Sequence, residues 1–403
     1  KVEEGRDKCP TLEHLIIIGE EREGWTCKEI ASAAASDKFD RSMAPPTKAK
    51  DQMLIYFTSG TTSMPKMVAR DHSYGLAHTI TCNYWQGLRR DDIHWTLTDT
   101  GWAKAAWGII FPPIIAGAAI MLYDAAGFDA EMHLKLIEKY QVTTFCAPPT
   151  VYRLFAQMDV SGHDLSSIRH CIGAGEPLNP EAMRSWKAAT GCDIHDGYGQ
   201  TETVNIVANY PGMEIRPGSM GKPVPGIDIG IIDDDGNVVE NDTVGHIAVK
   251  ITDPYPPGLF DGYFRDPDAT AKSFRNGWYY TGDTATRDSD DYIWFVGRSD
   301  DIISSSGYRI SPFEVESALV EHPGVMESAV VGKPDAMRGE IVKAFIILAA
   351  GYEASDELTV EIQDFVKNLT APYKYPREIE YREALPKTIS GKIRRVELRA
   401  EDE

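Results

Sequence analysis

Five short stretches of this chain carry side chains suited to an anionic nucleotide and a cation. The first is Thr58-Ser59-Gly60-Thr61-Thr62-Ser63-Met64-Pro65-Lys66, directly after the apolar run Met53–Phe57. Small residues let the backbone approach a phosphate closely. Hydroxyls and successive N–H groups can ring its oxygens, and Lys66 adds a point charge. The spacing is not that of a Walker A loop, GxxxxGK[ST]. The second is Gly173-Ala174-Gly175-Glu176-Pro177, followed by Asp196-Gly197-Tyr198-Gly199-Gln200-Thr201-Glu202. Two Gly-rich turns at strand ends suit a flat ligand lying on backbone. Tyr198 can stack on a base, and Glu202 can hold a Mg²⁺ that bridges phosphates. The third is Tyr280-Thr281-Gly282-Asp283 with Gly297-Arg298-Ser299-Asp300-Asp301. A carboxylate accepts from both hydroxyls of a ribose, and a guanidinium donates to the same sugar. The fourth is Ser306-Gly307-Tyr308-Arg309, and the fifth is Pro386-Lys387-Thr388-Ile389-Ser390-Gly391-Lys392. Singly, each has an ordinary reading: a Ser/Thr/Gly loop, two turns beside a solvated Glu, a surface lysine.

The elements that must carry these stretches follow from pattern. The 403 residues suffice for two to three domains. Lys and Arg number 41 against 61 Asp and Glu, a net charge of −20. That balance argues against a nucleic-acid-coating protein, which needs a basic field. It leaves room for an anionic ligand in a local cleft of cations. The six cysteines are scattered without a CxxC pair, which argues against structural zinc and for reduced, mostly buried thiols of an intracellular protein. Ala105–Tyr123 is 19 residues without a charge, a membrane-spanning length. Its Pro112-Pro113, Gly108 and Gly117 argue instead for a buried helix, a break at the prolines and a core strand near Ala119–Tyr123. Residues 52–210 alternate strand-like and helix-like segments, which predicts a doubly wound α/β layer. One such helix spans Asp129–Tyr140, with Met132, Leu136, Ile137 and Tyr140 on its apolar face. Val142–Cys146 then reads as a strand. Residues 211–297 alternate apolar and polar positions around Ile227, Ile229, Ile231, Ile247, Val249 and Ile251, with a turn at Asp235-Gly236-Asn237. That predicts antiparallel β-structure, a small barrel or a distorted sheet. Residues 301–403 mix both types. Strands are expected at Ala329–Val331 and Ala344–Leu348, and a helix capped by Ser355 turns Leu358, Ile362, Phe365, Val366 and Leu369 inward.

Taken together and in this order, the five stretches resemble the AMP-forming acyl-CoA synthetases of the adenylate-forming superfamily. Asp99-Thr100-Gly101-Trp102-Ala103-Lys104, Ala371–Arg377 and Leu385–Lys392 are similar to the wording of the medium-chain subgroup, and the resemblance covers nearly the whole chain. It implies a multidomain α/β protein. Residues 1–210 would be the α/β part of a large domain, 211–299 its β-barrel-like subdomain, and 300–403 a small mobile α+β domain. It also implies that the family's N-terminal piece, which completes the large domain, lies ahead of Lys1. On that view helices covering one sheet face are missing, apolar surface is exposed and the chain is a partial product. In this family ATP and a carboxylate give acyl-adenylate and pyrophosphate, and CoA then yields acyl-CoA and AMP. The resemblance assigns Thr58, Ser59, Gly60, Thr61, Thr62, Ser63 and Lys66 to the β- and γ-phosphates. Gly175, Glu176 and Pro177 line the adenine with Tyr198 stacked against it, and Asp196, Gly197, Gly199 and Gln200 count as further cofactor-binding residues. Thr201 approaches the α-phosphate, Glu202 takes Mg²⁺, and Asp283 with Arg298 holds the ribose. Lys392 stabilises developing charge as the catalytic cation, and Asp300 is the hinge on which the C-terminal domain swings. Ser306, Gly307, Tyr308 and Arg309 then enter the CoA channel, with Arg338, Lys367 and Tyr375 as further CoA contacts.

Two features set this chain apart. Ser63 replaces the usual second Gly of the phosphate loop, which costs roughly 1–2 kcal/mol if that position is left-handed. Acetate-specific relatives carry a Trp immediately before the Gln-Thr-Glu. Gly199 stands there in this chain. That leaves room for a medium-chain, branched or aromatic acyl group, with Trp102 and Trp107 as candidate pocket walls. Intracellular, cytoplasmic placement is expected, and a homo-oligomer stays open. So do two other functions. One is an adenylate-forming ligase with a non-CoA acceptor, and the other is a nucleotide-binding remnant without turnover. A P-loop kinase is disfavoured by the loop spacing.

Overall fold

The structure, a computed structural model, describes residues 9, 12, 15–19, 21–27, 42, 46–58, 65–124, 127–156, 158–175, 178, 180–387 and 393–401. Lys1–Lys48 is one compact unit and Ala49–Glu403 another. In the first, β1 (Ile16–Ile17) and β2 (Thr26–Cys27) pair in parallel.

The second unit opens with the antiparallel pair β3 (Gln52–Thr58) and β4 (Lys66–Asp71), whose last register is Thr58 opposite Lys66. Thr58 and Lys66, at the two ends of the first stretch, therefore stand opposite each other. A helix, Ser73–Thr81, runs directly into a π-turn, Cys82–Gln86. Five parallel strands follow: β5 (Ile93–Thr96), β6 (Ala119–Ile120), β7 (Thr144–Ala147), β8 (His170–Gly173) and β9 (Ile194–Gly199). They lie in the order β6-β5-β7-β8-β9. Helices Ala130–Tyr140, Pro149–Ala156 and Pro180–Thr190 alternate with them. All four residues of β7 and of β8 are buried, as a parallel sheet covered on both faces requires.

The antiparallel part does not form a separate barrel. β10 (Asn205–Ala208), β11 (Ser219–Pro223), β12 (Ile229–Ile232), β13 (Gly245–Lys250), β14 (Phe274–Arg275), β15 (Trp278–Arg287) and β16 (Ile293–Arg298) continue the same sheet. The full order is β12-β13-β15-β16-β11-β10-β9-β8-β7-β5-β6, with β14 against β15. β10 pairs antiparallel with β9 on one side, through an irregular register, and with β11 on the other, so the antiparallel half is a distorted sheet joined to the parallel half. The turn after β12 forms as expected. Gly236 has φ +88°, and the Asp233 carboxylate accepts from the Asp235 and Asn237 N–H groups. Beyond it, β17 (Ile303–Ser305), β18 (Tyr308–Ile310), β19 (Val325–Asp335), β20 (Gly339–Leu348) and β21 (Glu378–Tyr381) make a five-stranded sheet. Helices Pro312–Val320, Asp356–Leu369 and Arg395–Ala400 accompany it. The Ser311 and Ser355 hydroxyls cap the first two through Glu314 N and Leu358 N, both at 3.1 Å.

Three sequence expectations need correction. In Ala130–Tyr140 the buried residues are His133, Leu134 and Ile137, while Met132 and Tyr140 are 40% and 48% exposed. The inward face is turned by about a quarter of the helix from the expected one, because His133 stacks flat on Trp95 at 5.2 Å and draws that side in. In Asp356–Leu369 the core positions are Leu358, Ile362 and Val366, and Leu369 is exposed in the final turn. Ala105–Tyr123 is not broken at its prolines. Pro112 and Pro113 sit in the first turn of the helix Phe111–Ala116, where a missing N–H leaves no bond unmade, and a π-turn at Ala106–Ile110 feeds into it. The strand after it is an exposed two-residue edge, paired among the described residues with β5 alone, not a core strand. Ile114 and Leu122 nearby are largely exposed.

Candidate active site

The site is assembled at the end of β9. Tyr198 and Gly199 close that strand, and Gln200, Thr201 and Glu202 follow in the turn toward β10. Two arrays of contacts grow from this segment.

The first array ends on Asp283. The Tyr198 hydroxyl donates to Asp283 Oδ2 at 2.6 Å, and Gln200 Nε2 donates to the same oxygen at 2.7 Å. Gln200 is itself held: its Nε2 also donates to Thr281 O at 2.9 Å, and its Oε1 accepts from the Tyr279 hydroxyl at 3.0 Å. Asp283 Oδ1 faces Arg298 Nε at 4.0 Å, because Asp283 and Arg298 are register partners on β15 and β16. Burial and the neighbouring Asp283 carboxylate hold the Tyr198 phenol well above its usual range, so it remains the donor. Sequence reasoning paired Asp283 with Arg298. It did not see that Gln200 and Tyr198 orient the carboxylate.

The second array ends on Lys66. The Tyr263 hydroxyl donates to Glu202 Oε1 at 2.9 Å, and Lys66 Nζ lies 4.6 Å from the Tyr263 ring centre. Glu202 is buried; burial pushes its carboxyl up, against the Tyr263 hydroxyl and the charges of Lys66 and Arg70. Arg70, buried on β4, holds the turn from beneath. Its guanidinium donates to Glu202 O at 3.0 Å, Thr203 O at 3.3 Å and Gly258 O at 2.5 Å, and stacks on Tyr74 at 3.8 Å. Neither Arg70 nor Tyr263 was singled out from sequence. A strand arginine and a loop tyrosine look like surface residues until the fold places them under Glu202.

Glycines make room for these contacts. A Cβ at Gly197 would lie 2.5 Å from Trp85 Nε1, and one at Gly199 would lie 2.3 Å from Val204 O and 2.4 Å from Trp107 Cη2. The volume directly over Gly199, expected from sequence to be open to an acyl group, is instead filled by the indole of Trp107, which is buried and held by Trp107 Nε1 to Tyr74 OH (3.0 Å) and by Gln86 Nε2 to Trp107 O (2.7 Å). Trp102 is half-buried at the entry to the helix Ala103–Ala105. Lys104 of the same segment donates to Ala174 O at 3.2 Å, which ties it to the Gly173–Gly175 turn, where Gly175 has φ +108°. Asp196 is buried with its carboxyl pushed up to about 8 by desolvation, and the Gly197 N–H at 2.9 Å is what opposes that.

The C-terminal candidates form their own group. Ser306 and Gly307 make the left-handed turn between β17 and β18, with φ +51° and +83°. Ser306 N donates to Arg338 O at 2.8 Å, and Arg338 Nη1 donates to Ser306 Oγ at 3.2 Å. Tyr308 stacks on Tyr373 at 4.1 Å, and Arg309 is exposed beside it. Lys367 sits 4.3 Å over Tyr375, whose hydroxyl accepts from Arg377 at 2.9 Å. Asp300 O accepts from Arg399 at 2.9 Å. Thr58 lies at the end of β3 and Thr201 in the turn before β10. Ser59, Gly60, Thr61, Thr62, Ser63, Glu176, Pro177 and Lys392 lie outside the described residues. The donor set suits Mg²⁺: one buried carboxylate, Glu202, without a cluster of three or more ligating side chains among the described residues, fits a cation that takes its remaining ligands from phosphate and water.

Comparison with known proteins agrees with this layout. Residues 1–264 match the family model "AMP-binding enzyme", and residues 314–392 match "AMP-binding enzyme C-terminal domain". The mitochondrial acyl-coenzyme A synthetase ACSM3 of Rattus norvegicus is 48% identical over 400 residues, 98% of this chain and 68% of that protein. The anthranilate CoA ligase AuaEII, solved with anthranoyl-AMP, superposes with a TM-score of 0.90 at 35% identity, covering 100% of this chain and 76% of that one. The amide bond synthetase McbA from Marinactinospora thermotolerans gives 0.81 at 26% identity over 99% of this chain and 78% of that one. With matches of this extent in both parts of the chain, the protein belongs to the AMP-binding enzyme family, among the AMP-forming acyl-CoA synthetases.

Proposed function

We propose that the chain activates a medium-chain, branched or aromatic carboxylic acid with ATP. A carboxylate oxygen attacks the α-phosphorus, the bond to the β-phosphate breaks, and pyrophosphate leaves. CoA sulfur then attacks the acyl carbonyl and AMP departs. The observation that carries the reading is the pair of arrays sharing one turn: Lys66–Tyr263–Glu202 on one side, and Tyr198/Gln200–Asp283–Arg298 on the other. A nucleotide laid across that turn meets a ribose acceptor at one end and a phosphate cation at the other.

Each group has a role in this reading. Asp283, held by Tyr198 and Gln200, accepts from the ribose hydroxyls, and Arg298 donates. Lys66 and the loop Thr58–Ser63 take the terminal phosphates. Thr201 donates to the α-phosphate. Glu202 would hold Mg²⁺, which supplies charge neutralisation at the departing pyrophosphate. Lys392 compensates charge at the α-phosphate and carboxylate, an electrostatic role worth typically 10²–10³ in rate. The Ser306–Arg309 turn, Arg338, Lys367 and Tyr375 receive CoA after rotation at Asp300. The likeness to McbA supports a second reading, with an amine in place of CoA as acceptor.

Among the described residues no helix is long and apolar enough to cross a membrane. Free cysteines and a CoA substrate support an intracellular setting. The cytoplasm is our reading, and fractionation against mitochondrial-matrix markers tests it, the rat relative being named as mitochondrial. The test of function is carboxylate-dependent ATP–pyrophosphate exchange from acetate to octanoate, with 2-methylbutyrate and benzoate, followed by product analysis with and without CoA. Exchange with a CoA-thioester product supports the proposal. Exchange with CoA-independent amide product supports the second reading, and AMP binding without exchange points to a nucleotide-binding remnant.

A further inference from the structure

A serine, a histidine and an aspartate meet where β12 and β16 end and β13 begins. They stand beside the Asp283–Arg298 pair but share no residue with either array described above. His246 lies on β13, opposite Ile232 on β12 and Thr284 on β15. Asp234 follows the end of β12 by two residues, and Ser299 comes directly after β16. The register of β13 on β15 shifts between His246 and Ala248, and that of β15 on β16 between Thr284 and Ala285. Such irregularities re-aim side chains at a strand end. His246 Nε2 is 2.9 Å from Asp234 Oδ1, and His246 Nδ1 is 3.2 Å from Ser299 Oγ. A carboxylate only accepts, so Asp234 selects the neutral imidazole with its hydrogen on Nε2. The bare Nδ1 then accepts from the Ser299 hydroxyl. The Tyr280 ring meets the imidazole edge-on at 5.6 Å, and Ser299 N donates to Gly282 O at 2.9 Å, which fixes the serine backbone. Ser299 is half-buried, so a small reagent reaches its hydroxyl from solvent.

We propose that Ser299 is an acyl-accepting nucleophile, with His246 as its general base and Asp234 orienting that base. A hydroxyl and a base within hydrogen-bond reach, the base held in turn by a third group, is the arrangement that activates an otherwise weak nucleophile. The donor it takes is an activated acyl ester. Ser299 Oγ bonds to the acyl carbon, and the Oγ proton passes to His246 Nδ1. The bond from the acyl carbon to the leaving oxygen then breaks, and His246 returns the proton to that oxygen or to water. An acyl-adenylate is one such donor, and this clause alone rests on the function proposed above. The array as described supplies no pair of N–H groups for an oxyanion, the element that drives fast turnover. A slow, single acylation of Ser299 is therefore expected, not rapid ester hydrolysis. Asp234 is 88% exposed, so water shares its task and its part is the smaller one.

The test uses the full chain with Ser299→Ala, His246→Gln and Asp234→Asn. Gln keeps hydrogen-bonding atoms at position 246 but takes up no proton, so loss of the base is separated from loss of the fold, and urea melts check the latter. The donor is p-nitrophenyl hexanoate in one arm, and ATP, Mg²⁺ and hexanoate without CoA in the other. Peptide mass mapping reads the acyl group residue by residue, with lysine acylation as the internal reference. The ester should acylate Ser299 in the native chain. His246→Gln should slow that acylation about 100-fold and Asp234→Asn about 10-fold, with lysine labelling unchanged. Ser299→Ala should remove the serine label alone. Label from the ester arm only would support the nucleophile and make supplied esters its donors, and label in both arms would add the chain's own acyl-adenylate. Lysines acylated by the ester while Ser299 stays unmodified, or a His246→Gln rate equal to the native one, would overturn the proposal. Neither result depends on whether carboxylate-dependent ATP–pyrophosphate exchange is found, so failure of the proposed function is read separately.

Discussion

Replacing Asp196 by Asn tests the electrostatics of the buried end of β9 directly. Asp196 is 6% exposed, and its carboxyl is pushed from an ordinary 3.8 to about 8 by desolvation. A group whose folded-state pKa is raised binds its proton more tightly in the native state. Its contribution is greatest below about pH 4 and is lost as pH rises through about 8. Each pH unit of that gap is worth about 1.4 kcal/mol, so the ceiling is about 6 kcal/mol. Water drawn in by the ionised carboxylate relieves part of this, and on the order of 2 kcal/mol is expected. Asn keeps an oxygen for the Gly197 N–H and cannot ionise. The variant should be the more stable at pH 8.5, and its advantage should shrink on going to pH 5.5. Urea unfolding of both proteins at half-unit pH steps reads the difference. A gap that does not change with pH, or an Asn variant less stable at pH 8.5, would refute the burial argument. AMP affinity measured alongside shows whether the neutral form is the one that binds nucleotide.

Four further outcomes follow from the same contacts. Arg70→Met should destabilise by about 3–5 kcal/mol in urea melts, since Glu202 O, Thr203 O and Gly258 O each lose a charged donor in a buried site; a loss below about 1 kcal/mol would contradict this. Tyr263→Phe should leave the fold intact but slow adenylation roughly 10-fold with a raised Mg²⁺ requirement, because Glu202 loses its orienting bond; a Mg²⁺ titration of exchange checks it. Gly199→Ala should cost at least about 2 kcal/mol, as its methyl meets backbone at Val204 O, which cannot rotate away, besides the Trp107 ring; an unchanged melting curve would show that the strand can shift. Lys392→Ala should abolish adenylation while sparing thioester formation from supplied acyl-adenylate, read by the two half-reaction assays.

Much of the candidate site was legible in linear order, because the residue types that phosphate, ribose and metal chemistry would demand fall in short runs. The paired Asp283 and Arg298 are an example: β-register puts them opposite each other, and each motif already named its member. Helix caps at Ser311 and Ser355 and the turn at Gly236 are equally local. Arg70, Tyr263, Gln86 and Trp107 were hidden or ambiguous because their meaning lies in partners 21 to 188 residues away. The orientation of Ala130–Tyr140 misled for the same reason. Apolar spacing names an amphipathic helix, but a flat stack of His133 on Trp95 chooses which arc faces the sheet.

By itself, the order of residues determined the class of chemistry, the family and the alternation of elements, since these depend on local composition and period. Only the tertiary structure decided that the antiparallel strands extend the parallel sheet rather than close on themselves, that an indole fills the space over Gly199, and that Arg395 and Arg399 near the C-terminus pair with Asp301. Those are matters of long-range packing and charge pairing, and no window of neighbouring residues contains both partners.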